Sequence, residues 1–185
     1  MTDAGHAPRP PSAWVTRFAG LAPPDLPVLD VAAGAGRHSR LFLDQGYSVT
    51  AVDIDVTGLD DIAGRTGAEI VEADLEDGGP WPFAGRGFGG IIVTDYLYRP
   101  ILPLLAACLA PGGVLIYETF ADGNAAFGRP KNPDFLLRPN ELLEAFEDVL
   151  QIVAFEQGLV QTPRPAARQR LCATKADELV TLEPE

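Results

Sequence analysis

The sequence predicts a doubly wound α/β domain on a mostly parallel seven-stranded sheet that closes with an antiparallel C-terminal hairpin. Three observations predict it. Short apolar runs alternate with helix-like segments from residue 28 to residue 120, the spacing of strand–helix–strand units. The first run leads directly into a Gly-x-Gly turn, Gly34 and Gly36, followed by a helical pattern. The last two runs, 151–160 and 167–176, are joined by a short turn containing Pro-Arg-Pro. That connection is too short for a parallel crossover, so the two strands must be antiparallel.

In chain order, residues 1–13 are rich in Pro and small polar residues and form a lead-in. SAWVTRFAGL (12–21) predicts a short helix with Trp14 and Phe18 on one face, stopped by PPDLP. VLDVAA (28–33) predicts a buried strand and RHSRLFLDQGY (37–47) a helix ending at Gly46. SVTAVDID (48–55) is the second strand, 57–67 a weak helix, AEIVEADL (68–75) the third strand and IIVTD (91–95) the fourth, after a glycine-rich loop. Apolar residues at 97, 101, 104, 105 and 108 make a helical stripe over 97–110, kinked or started by Pro103. PGG (111–113) reads as a turn, VLIYETF (114–120) as the fifth strand, and 139–150 as a helix with Asn140 at its N-cap. The expected organisation is a lead-in with a short helix (1–22), one domain (23–176) and a solvated tail (177–185).

Composition limits the function. A 185-residue chain is one ordinary domain and buries about 70% of its unfolded surface. Fourteen basic against 26 acidic residues give a net charge of −12, which disfavours a nucleic-acid phosphate backbone. No apolar run approaches the ~18 residues of a membrane span, and the N-terminus lacks the pattern of a secretory signal. No membrane partner is expected, and the expected location is cytoplasmic. Cys108 and Cys172 sit in apolar patterns and read as buried free thiols of a reducing compartment. No metal ligand set is expected. Oligomeric state is left open.

Asp30, Asp53, Asp74 and Asp95 close successive strands. In a parallel sheet they share the carboxyl edge, where ligands bind. A dinucleotide loop wants a third glycine where this chain has Ser39. Arg37 and Arg40 are expected to face solvent or pair with Asp44, the latter as an i,i+4 pair. His38 is expected to be structural.

The motifs VLDVAAGAGRHS, VTAVDID, EADLEDG, GIIVTDYLYRP and APGGVLIYETF together resemble those of class I S-adenosylmethionine-dependent methyltransferases. The resemblance runs from about residue 27 to 120 and, through the hairpin, to about 175. GAGRHS, DYLYRP and the stretch ETF…GN…FGRPKNPDFLLRP…EL resemble the small bacterial stand-alone members of the tellurite-resistance-like group. The resemblance implies a Rossmann-like methyltransferase fold with S-adenosylmethionine as cofactor. Asp30, Gly34 and Gly36 would lie against its methionine part and Asp53 would take the ribose diol. Asp74, with the backbone of Leu75, would face the adenine, and Ala32, Ile54 and Asp95 would be further cofactor contacts. Asp95 and Tyr96 would orient the acceptor at the reacting methyl. Ala32 stands where the family often has glycine, and Gly89 where it often has an acid.

The implied reaction is in-line displacement of a methyl from a sulfonium, which needs alignment and desolvation more than a protein nucleophile. The acceptor is expected to be a small molecule. Residues 121–139 read as a lid over the carboxyl edge. Tyr98, Arg99, Asn124, Phe127, Arg129, Asn132 and Phe135 are the substrate-side candidates, and Arg129 and Lys131 could bind an anionic acceptor. Two other functions compete: a non-catalytic adenosylmethionine-binding regulatory module and, against Ser39, a nicotinamide-dependent oxidoreductase.

Overall fold

A computed structural model describes residues 9–176 and 178–181. Its sheet has seven strands: β1 (Val28–Val31), β2 (Val49–Asp53), β3 (Ala68–Glu72), β4 (Phe88–Thr94), β5 (Leu109–Phe120), β6 (Gln151–Val160) and β7 (Ala166–Thr174). Their order is β3-β2-β1-β4-β5-β7-β6. The pairs up to β5 are parallel, and β7 runs antiparallel to both β5 and β6. The strand order reverses between β1 and β4, which is where such sheets open a ligand crevice beyond their carboxyl ends.

The central strands are apolar throughout because both faces are covered: all four residues of β1 are buried. One face carries α1 (Ala13–Phe18) and α2 (Arg37–Asp44); the other carries α3 (Leu102–Cys108) and α4 (Glu141–Phe146). Trp14, Val15 and Phe18 of α1 are buried, and the Trp14 indole donates to the Leu171 carbonyl at 3.2 Å. Gly36 opens α2 with φ +69°, and a Cβ there would lie 2.5 Å from Leu59 Cδ2. The turn therefore needs glycine for both conformation and space. At Gly89 a Cβ would lie 2.6 Å from Leu26 Cβ. The strand has no room for the acid usual in the resembled family.

The seven strands appear where the sequence places them, with ends shifted by a few residues. Four local expectations are corrected. Residues 57–67 form only a single 3-10 turn, 57–59; three glycines and two aspartates there disfavour a helix. Leu59 and Ile62 nevertheless bury against the sheet. The expected PGG turn at 111–113 is a bulged part of β5, pinned by the Gly112 N–H to Lys175 O (2.7 Å) and the Lys175 N–H to Gly113 O (2.9 Å). The helix expected over 139–150 is shorter, and Asn140 precedes it in a left-handed conformation (φ +63°) without a side-chain cap. Arg40 pairs with Asp61, and Asp44 with Arg65, in place of the Arg40–Asp44 pair. The 57–67 segment folds over α2 and offers closer partners. No helix is long and apolar enough to cross a membrane among the described residues. Both cysteines are free and buried. The expected lead-in and tail fall partly outside the described residues, at 1–8, 177 and 182–185.

Candidate active site

Three adjoining hollows form a trough along the carboxyl edge. The first, about 360 Å³, lies between the ends of β2 and β3 and is lined by Asp53, Ile54, Asp74, Leu75 and Glu76. The second, about 250 Å³, lies over the glycine turn and includes Gly34, Arg37, Thr94 and Asp95. Both touch Ala32 and Tyr96. The third, about 490 Å³, is bounded by the segment after β5 and the β6–β7 turn, and it meets the second at Arg9 and Asp95.

Asp53 ends β2 and ties the trough together: its Oδ2 accepts the Gly34 N–H at 2.7 Å, and its Oδ1 accepts the Asp55 N–H at 3.1 Å. Ile54 beside it is 64% exposed, an apolar surface that a flat ring would cover. Asp74 Oδ1 accepts the Glu76 N–H at 2.8 Å, which shapes the turn after β3. A Cβ built at Gly34 would meet nothing within 4 Å, so the turn leaves open space above it.

Two residues of the trough hold left-handed backbone without being glycine: Ala32 at φ +52° and Asp95 at φ +57°. Non-glycine residues at such φ values concentrate at functional turns. The Asp95 carboxylate is shared: Oδ1 accepts from Arg168 Nη1 at 2.7 Å, and Oδ2 lies 3.5 Å from Arg37 Nη2. Burial, then the charge of Glu76, pushes the Tyr96 phenol above its ordinary pKa. Tyr96 is therefore a neutral hydroxyl at physiological pH. The backbone carbonyl of Tyr96 is held by the buried Tyr117 hydroxyl at 3.0 Å.

Several expected site residues lie elsewhere. Asp30 is buried beneath α2, where its carboxylate accepts the Ser39 hydroxyl at 2.6 Å. It lines none of the three hollows. Burial raises its pKa to about 6, against the lowering effect of Ser39. Gly36 packs under Leu59 and does not line the trough. Arg99 fastens the segment after β5: its guanidinium bonds Glu141 at 2.6 and 3.0 Å and the carbonyls of Asp134 and Leu136 at 2.7 and 2.9 Å. Asn132 caps a short turn by accepting the Asp134 N–H. Asn124 is buried at the floor of the third hollow, where it donates to Pro130 O and accepts from the Ala167 N–H. Tyr98 packs on the sheet core, while Phe135 and Lys131 are exposed and outside the hollow. Phe127 and Arg129 do line it.

Arg9, Arg37, Thr94, Arg164 and Arg168 also line the trough, although no motif in the sequence points to them as site residues. Topology carries the signal for two of them. β7 runs against β5, so its first residues and the turn before it return to the carboxyl edge. His38 is buried, and its Nε2 accepts the Ser12 N–H at 3.1 Å while Nδ1 lies 3.4 Å from Thr94 Oγ1. Burial, then the charge of Arg37, lowers its pKa to about 3. The imidazole is neutral and occupied, and it cannot serve as a base for an acceptor.

No protein-family model and no curated protein matches the chain. Solved structures do. The crystal structure of TehB from Haemophilus influenzae superimposes with a TM-score of 0.67 at 17% identity, over 88% of this chain and 61% of that one; the chain spans less than two thirds of its length. A 1,6-didemethyltoxoflavin-N1-methyltransferase from Burkholderia thailandensis, solved with 1,6-didemethyltoxoflavin and S-adenosylhomocysteine bound, gives 0.64 at 23% identity over 89% and 77%. An S-adenosylmethionine-dependent methyltransferase from Methanosarcina mazei gives 0.66 at 18% over 87% and 97%. The chain has the fold of class I S-adenosylmethionine-dependent methyltransferases.

Proposed function

We propose that the protein transfers a methyl group from S-adenosylmethionine to a small-molecule acceptor. The observation that carries this reading is the make-up of the first two hollows. Three carboxylates, Asp53, Asp74 and Glu76, stand beside the exposed apolar face of Ile54. Open space above Gly34 leads from them to Arg37. This order suits an adenosyl group with a hydroxyl-bearing sugar and an amino-acid end. The same carboxylates would repel the pyrophosphate of a dinucleotide.

In this reading Asp53 accepts hydrogen bonds from the ribose diol, Asp74 and Leu75 border the adenine, and Ile54 covers its face. Gly34 and Ala32 admit the methionine end. When bound there, the cofactor supplies a methyl group already activated by a positively charged sulfur. Asp95 stands where the second hollow opens into the third, and Tyr96 lies on the wall between the first and the second. They orient the acceptor, and Tyr96 donates a hydrogen bond because its phenol keeps its proton.

Calorimetric titration of S-adenosylhomocysteine tests the site. We expect saturable binding, weakened about 10- to 150-fold in Asp53→Asn, since hydrogen bonds to a charged group are worth about 1.5–3 kcal/mol. Absence of binding, or equal binding of NAD, overturns the reading. Incubation with labelled cofactor and a panel of acceptors separates an enzyme from a non-catalytic binding module.

A further inference from the structure

The third hollow has a charge that the rest of the molecule does not. The chain carries −12 overall, and nine of its twelve arginines have a carboxylate partner. The three with none among the described residues are Arg9, Arg129 and Arg164, and all three line this one hollow. They come from three distant parts of the chain: the N-terminal lead-in, the segment after β5 and the β6–β7 turn.

Among the described residues only one carboxylate, Asp95, borders the hollow, and Arg168 already holds it at 2.7 Å. In a chain with almost two acids for every base, guanidiniums find partners easily. Three left together in one concavity repel one another unless an anion joins them. The walls beside them are apolar: Phe120, with the Arg168 guanidinium 4.2 Å above its ring, and the half-exposed Phe127.

We propose that the acceptor is a small organic oxyanion, a carboxylate-type group on a flat apolar body. The oxyanion is received by Arg9, Arg129 and Arg164, and the body lies against Phe120 and Phe127. Guanidinium forks match a carboxylate two bonds at a time. Arg9 and Asp95 border the second hollow as well as the third, so an acceptor held by its oxyanion lies beside the opening toward the rest of the trough. This inference rests on the methyltransferase reading for the word acceptor; the anion site itself does not need it.

The test titrates the full-length protein, with S-adenosylhomocysteine saturating, with benzoate and salicylate, and with benzamide and salicylamide as uncharged counterparts. We expect at least one carboxylate to bind ten or more times tighter than its amide, and to weaken as salt rises from about 50 to 300 mM. The double variant R129A/R164A, whose side chains are exposed, should lose the preference while its S-adenosylhomocysteine Kd stays within twofold. Equal binding of amides, no binding of any of the four, or a preference that survives in the double variant overturns the proposal. If S-adenosylhomocysteine fails to bind while the carboxylate preference persists and is lost in R129A/R164A, the methyltransferase reading falls and the anion site stands.

Discussion

Ala32 shows how far single residues can be read from sequence. Its place in the glycine turn marks it as the odd member of the pattern, and the structure gives it φ +52°. A β-carbon in left-handed backbone costs about 1–2 kcal/mol, of which glycine's extra chain entropy offsets up to about 1. Ala32→Gly should therefore raise the melting temperature by about 2–4 °C in a calorimetric scan, and a lower melting temperature would show that the turn is not strained. The four strand-end aspartates were legible as a group because parallel strands end on one edge. Which of them reach the trough was not. Asp30 stands one residue before the end of β1, so its side chain points under α2 to Ser39. Asp53, Asp74 and Asp95 lie at or beyond their strand ends and border the trough.

At the scale of elements, the seven strands and the reversed hairpin were legible because apolar runs and turn residues decide them locally. The 57–67 segment was not, because its Leu59 and Ile62 mimic a helical face while its glycines and aspartates resist one. The 121–139 segment was legible as a long irregular connection, but its fastening depends on contacts distant in sequence. Arg99 joins the buried Glu141 to the carbonyls of Asp134 and Leu136. Burial raises the Glu141 pKa, yet the bonds from Arg99 and Arg138 outweigh it and leave the carboxyl below its ordinary range. Removing the arginine leaves the buried carboxylate only its contacts with Arg138, and the partial exposure of Arg99, 37% of its side chain, softens the penalty. Arg99→Ala should lose about 1–3 kcal/mol in urea unfolding and speed amide exchange within 121–139. Unchanged exchange there would show that Arg99 does not fasten the segment.

For the whole molecule, two buried groups contribute opposing slopes to acid stability. His38 has its pKa lowered from 6.5 to about 3 by burial and by Arg37. Between those values the unfolded chain binds a proton that the native protein refuses. Stability therefore falls as pH drops, by about 1.4 kcal/mol for each unit. Asp30 has its pKa raised from 3.8 to about 6 by burial. Between those values the native protein holds a proton that the unfolded chain releases, so stability rises as pH drops, with a similar slope. From about pH 6 to pH 4 the two slopes cancel in the native sequence. Asp30→Asn removes one of them. Relative to the native profile, its unfolding free energy should fall by about 1.4 kcal/mol per unit from pH 6 to pH 4, read from urea titrations at closely spaced pH values. His38→Gln should do the opposite, gaining relative stability as pH falls below about 6.5. Subtracting the native profile removes the titration of the many surface carboxylates common to all three proteins. Parallel profiles would mean that these two groups do not titrate in their buried forms, and a fall in the His38→Gln profile would reverse the sign assigned to the imidazole.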